Sequence, residues 1–170
     1  MISVNEQTMF MLVYGTLKRG FRNHHLLQPY LHSIRSASFW GKLYHLHDYE
    51  CPAVIFPEHL AQGSGDYSHD LRIQMGLNQQ RHGLFPEVEQ EGWTRLSGEL
   101  VELQNPREAF VVLDQLEGFL CEESPSYERI LIPVHTDQGW LYAWAYGMDT
   151  IPYSHSSVSK ETWTEACEVH

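Results

Sequence analysis

The stretch FMLVYGTLKRG, residues 10 to 20, sets the strictest condition on the fold. Phe10 to Tyr14 reads as a strand apolar on both faces, the pattern of a strand covered on both sides. Gly15 then removes a Cβ where the chain must turn or approach another group closely. Two readings of the loop stand side by side. In one it is a tight turn, with Lys18 and Arg19 directed at water. In the other, exposed N–H groups of a glycine-hinged loop cradle a carboxylate or a developing oxyanion, and Thr16 adds a hydroxyl. The glycine spacing matches neither the Walker nor the dinucleotide motif, which argues against a phosphate loop.

A chain of 170 residues is about one domain long and encloses one good core. With 11 Lys+Arg against 22 Asp+Glu, its formal charge of −11 repels nucleic acid and anionic membranes. Cys51, Cys121 and Cys167 form no CxxC pair, so neither a disulfide framework nor a thiolate zinc site is suggested. No basic leader precedes an apolar core, and no apolar run approaches the ~20 residues that span a bilayer. A soluble protein of a reducing cytoplasm is the expectation.

The remaining periodicities read mainly as strands. Residues 22 to 32 place Leu26, Leu27, Tyr30 and Leu31 on one side of a helix capped by Asn23, with Pro29 interrupting it. Residues 38 to 56 read as two strands parted by HDYE. Apolar periodicity fades over residues 57–94, which carry Gly63, Gly65, Gly76 and Gly83 and read as an inserted, partly irregular excursion, a flap or edge excursion. RLSGELVEL resumes as a strand, and NPREAFVVLDQLEG is the clearest helix, with Asn105 to cap it, Pro106 at its first position, a stripe of Ala109, Phe110, Leu113 and Leu116, and Gly118 to close it. Residues 127 to 134 alternate as a strand. GWLYAWAYG then sets Trp140, Tyr142, Trp144 and Tyr146 against Leu141, Ala143 and Ala145. The last twenty residues read as a short helix or a loose tail. The predicted fold is α+β: a small mixed, mostly antiparallel β-barrel with two or three peripheral helices, as one domain over residues 1–170.

Glu117 stands at the negative end of a helix dipole, where a cation is favoured by roughly 0.3–1 kcal/mol. Between Leu116 and Phe119 it reads either as an ordinary exposed acid or as a poorly solvated carboxylate poised for general acid-base work. His45 and His47 would share a strand face, either as surface histidines or as a metal pair, although no third ligand follows at a characteristic spacing. His24 and His25 adjoin on a helix and diverge, which argues against joint ligation. No GxSxG elbow is present, and no cysteine has an activating neighbourhood.

The succession VYGTLKRG, LDQLEG, YERILIPV resembles the gamma-glutamylcyclotransferase-like family, whose hallmark is a YGTL-type loop followed by LDxxEG and YxR. NHHLL, GKLYHL, CPAV and AWAYG also fall where that family has similar segments. The resemblance covers residues 10 to 56 and 95 to 147 and leaves residues 57 to 94 outside. It implies a small barrel in which Tyr14, Gly15, Thr16 and Leu17 hold the gamma-glutamyl end of a small-molecule substrate. It further implies Glu117 as catalytic acid/base, Tyr127 in the pocket wall, and no cofactor. Cys51 replaces the family's usual aromatic before Pro52 and Ala53, a departure that bears on that wall. The activity so implied is cyclisation of a gamma-glutamyl amine or peptide to 5-oxoproline. The alternatives are a non-catalytic binding barrel and a metal-dependent barrel enzyme using His45 and His47.

Overall fold

Successive side chains of a strand point to opposite faces, and the two apolar faces of β1 (Met9–Val13) enter two different cores. Phe10 and Leu12 face the interior of a barrel; Met9, Met11 and Val13 face the layer between the barrel and its helices. The protein is described by a computed structural model over residues 8–57, 61–88, 92–116 and 127–164. Its other strands are β2 (Leu31–Leu46), β3 (Cys51–Ile55), β4 (Ala61–Gln62), β5 (Thr94–Leu103), β6 (Glu128–Thr136), β7 (Gly139–Gly147) and β8 (His155–Ser157). They follow the order β3-β2-β5-β1-β7-β6-β4, and a further β2–β6 pairing at Ser38 and His135 closes the barrel. Among the described residues only β1 and β7 pair in parallel, meeting at Met11 and Trp144, so the sheet is mixed and mostly antiparallel as expected. The alternation foreseen in β7 holds: Leu141, Ala143 and Ala145 line the interior, and Trp144 and Tyr146 lie outside.

The helix α2 (Pro106–Leu116) buries Ala109, Phe110 and Leu113 against the outer layer. The second helix corrects the sequence reading. Residues 57–94, read as a partly irregular excursion with no helix, contain α1 (Tyr67–Gln80), whose start is capped by the Asp66 carboxylate accepting from the Ser68 and His69 amides. Its buried face is largely polar: Asp70, Gln74 and Asn78 recur every four residues and so share a face. The Gln74 side-chain oxygen accepts the Phe10 N–H at 2.9 Å and its nitrogen donates to the Thr8 carbonyl at 2.9 Å. Asn78 does the same for Tyr142, accepting its N–H at 2.7 Å and donating to its carbonyl at 3.1 Å. Two amides thus complete the backbone bonding of β1 and β7 where the parallel pair leaves it unmade.

Two smaller expectations also change. Residues 22–32 form two 3-10 turns, His24–Leu26 and Gln28–Tyr30, instead of one helix. Pro29 lies in the second, and Asn23 donates its side-chain amide to Thr16 Oγ1 instead of capping. The tail is docked up to residue 164: β8 pairs with β2, and Trp163 is fully buried in the barrel core. Among the described residues no helix is long and apolar enough to cross a membrane.

Candidate functional site

Beyond Val13 the chain leaves the sheet in a turn closed by the Lys18 N–H donating to the Gly15 carbonyl at 3.1 Å. The Tyr14 hydroxyl donates to the Tyr146 carbonyl at 2.5 Å, tying the loop to the end of β7. Gly15 needs to be glycine because a Cβ there would sit 2.4 Å from Pro52 Cγ. Thr16 takes two bonds from Asn23, at its carbonyl and at its hydroxyl, each 2.9 Å. The Leu17 carbonyl lies 2.9 Å from His24 Nδ1, and Leu17 itself is buried. Among the described residues no turn or loop bond uses the amides of Thr16 or Leu17.

Pro52 is where the predicted elements meet. Gly15 packs on its ring, and the Tyr127 hydroxyl donates to its carbonyl at 2.5 Å. Cys51 Sγ lies 3.4 Å from the same hydroxyl. Tyr14, Gly15, Thr16, Leu17 and Tyr127 are thereby gathered at one end of the barrel, where β1 and β7 end and β3 and β6 begin. Glu117 lies outside the described residues, as do Gly118, Cys121 and Cys167.

A buried charge network adjoins this end, and the sequence reading assigned it no role. Arg129 Nη1 donates to both oxygens of Asp114 at 2.8 Å, and Nη2 donates to Asp70 at 2.5 Å. Asp70 also accepts from the Ser64 N–H at 3.0 Å and the Ser64 hydroxyl at 2.8 Å. Asp114 accepts the Tyr146 hydroxyl at 2.5 Å. The guanidinium lies 4.2 Å from the Phe110 ring centroid, a cation-π contact inside the outer layer. Burial disfavours the Arg129 charge, but Tyr146, Asp114 and Asp70 together outweigh it and hold the guanidinium above its ordinary range. The signal for two of these residues was in view: Asp114 is the aspartate of LDQLEG and Arg129 the arginine of YER.

Other candidates take structural positions. Lys18 does not point at water: its Nζ donates to Thr162 Oγ1 at 3.0 Å and to the Trp163 carbonyl at 2.9 Å, above the Phe21 ring. Arg19 pairs with Glu99 at 2.6 Å. The rings of His45 and His47 do meet, edge to face at 5.7 Å. His45 is buried, however, and its Nδ1 accepts the indole N–H of Trp163 at 3.1 Å, which commits that nitrogen. Among the described residues no group of three or more His, Cys, Asp or Glu is arranged to hold a metal.

A family model described as "Gamma-glutamyl cyclotransferase, AIG2-like" matches residues 11–70 and 68–165. The match runs through residues 57–94, which the motif resemblance had left outside. Among solved structures, YkqA from Bacillus subtilis is 22% identical at a TM-score of 0.52, over 92% of this chain and 40% of its own. Allophanate hydrolase from Kluyveromyces lactis is 14% identical at a TM-score of 0.50, over 95% of this chain and 21% of its own. An AIG2-like protein from Mus musculus is 16% identical at a TM-score of 0.47, over 92% and 88%. The chain therefore spans less than half the length of the first two and shares their fold. No curated protein matches it.

Proposed function

We propose, for a chain that belongs to the gamma-glutamyl cyclotransferase, AIG2-like family, that it cyclises a gamma-glutamyl amine or peptide to 5-oxoproline and releases the amine. The observation that carries this reading is the meeting of the YGTL loop and Tyr127 on Pro52 at one barrel end. The substrate brings its own nucleophile, an alpha-amino group four bonds from the gamma-carbonyl carbon. Attack forms a carbon–nitrogen bond and a five-membered ring; collapse of the oxyanion breaks the old carbon–nitrogen bond. The attacking amine must lose a proton and the leaving amine must gain one, so one carboxylate serves both steps.

Glu117 takes that role in this reading, as base and then as acid. The Thr16 and Leu17 amides are the candidates for holding the oxyanion or the substrate carboxylate, and the surrounding loop contributes the proximity term by keeping the substrate folded. The chemistry calls for no cofactor, and chelation is expected to leave turnover unchanged.

Incubation with a panel of gamma-glutamyl amines and peptides, followed by assay of 5-oxoproline, tests the reaction. Glu117→Gln keeps size but cannot take the proton, so kcat should fall by about 10²–10⁴ while a substrate analogue binds within a few-fold of the parent. Near-parental turnover by this variant removes Glu117 from the mechanism. Saturable analogue binding with no product from any substrate would instead favour a non-catalytic binding barrel.

A further inference from the structure

The YGTL loop is bonded to a segment more than 140 positions away in the sequence. Beyond β8 the chain keeps to β2, with the Val158 N–H donating to the Leu43 carbonyl at 2.9 Å. The Glu161 carbonyl then accepts the Ser97 N–H of β5 at 2.7 Å. Trp163 turns into the barrel core, where its indole is fully buried, stacked on the His45 ring and 5.8 Å from the Phe21 ring. Its N–H donates to His45 Nδ1 at 3.1 Å, which fixes the ring in orientation as well as in depth. Lys18, the residue after Leu17, reaches back to this segment: its Nζ donates to the Trp163 carbonyl at 2.9 Å and to Thr162 Oγ1 at 3.0 Å. Lys18 is only 7% exposed, and a buried ammonium is tolerated only where its protons are bonded.

We propose that Lys18 is a positioning residue and residues 158–163 its latch: the segment, anchored by Trp163, holds Lys18, and Lys18 holds the turn from Tyr14 to Leu17 in its binding arrangement. The proposal rests on the reading of that loop as the cradle of the gamma-glutamyl end. Lys18 closes the turn through its own N–H on the Gly15 carbonyl, so the residue that closes the turn is also the one whose side chain is anchored. The neighbouring tie, Arg19 to Glu99, has its arginine side chain 54% exposed, and ion pairs so exposed contribute little. A site whose competent arrangement is only partly populated loses affinity by that fraction, so a loosened latch registers as weaker binding.

Lys18→Met keeps the apolar stem and deletes both bonds. The probe is N-butyl glutaramate, which has the carboxylate and gamma-amide of a gamma-glutamyl amine but no alpha-amino group, and so cannot cyclise. Its calorimetric Kd should rise about tenfold in Lys18→Met, and the Asn23 amide, which donates to the Thr16 carbonyl, should exchange about tenfold faster. Thr162→Val removes one bond, changes no charge and leaves the loop sequence intact; both quantities should move the same way by about threefold. Ile132→Val, in the barrel core, is the control: it lowers the melting temperature and leaves Kd and Asn23 exchange unchanged. Parental Kd or parental Asn23 exchange in Lys18→Met overturns the latch alone. So does weaker binding in Lys18→Met beside a wholly parental Thr162→Val, which would make Lys18 a charge acting on the ligand. A parent that binds no glutaramate and makes no 5-oxoproline overturns the cradle reading and the latch with it.

Discussion

Inside the barrel Phe10, Phe39, Leu100 and Ile132 are held by shape, whereas on the outer face of the sheet Arg129, Asp70 and Asp114 are held by directed bonds between charges. The strand β6 serves both, sending Ile130 and Ile132 inward and Arg129 outward. A close-packed apolar core accepts substitutions of similar volume, because dispersion and burial have no preferred direction. A buried guanidinium between two carboxylates accepts almost none, because each lost partner leaves a desolvated charge behind. The shape-held half closes the fold, and the bond-held half fixes where α1 and α2 sit on it.

Removing the central charge is the hardest blow to this contrast. Arg129→Met leaves Asp70 and Asp114 facing each other without a cation, and should cost about 3–5 kcal/mol in urea denaturation. A loss below 1 kcal/mol would mean that the network relaxes to water and does not hold the helices. On the shape-held side, Leu100→Ala should cost about 2–5 kcal/mol through lost burial and a residual cavity, with α1 unmoved by circular dichroism.

Gln74→Ala removes no charge but strands the Phe10 N–H and the Thr8 carbonyl, for about 1–3 kcal/mol. Exchange at the Phe10 amide should rise accordingly; an unchanged amide would show that β1 and β7 need no splint there. Ile132→Val should cost least, about 0.5–1.5 kcal/mol. If it exceeds Gln74→Ala, shape and not bonding holds the outer layer as well.

The same contrast governs what could be read in advance. Alternation revealed the inner core, because the inward residues of β1 and β7 are apolar and every second residue repeats the pattern. It failed for α1, whose buried positions apart from Leu71 are the polar Asp70, Gln74 and Asn78, indistinguishable in sequence from a solvated face. Lys18 misled for a related reason: lysines ordinarily keep their heads in water, and this one bonds to residues more than 140 positions away. The turn that follows Val13 was legible from Gly15, a signal carried by neighbouring residues of the chain. The Asp114–Arg129–Tyr146 network was not, because pairings over such separations leave no local periodicity.

The place of β1 in the sheet also bears on how the protein is made. MFMLV leaves the ribosome well before either of its partners, since antiparallel β5 begins at Thr94 and parallel β7 at Gly139. At ordinary translation rates the gap to β5 lasts on the order of ten seconds, during which five apolar residues have no strand to pair with. Such a segment has the composition that binds other extended chains. Yield in the cell should therefore depend on holdase chaperones that bind nascent apolar strands, and slowing translation between residues 14 and 93 should lower it.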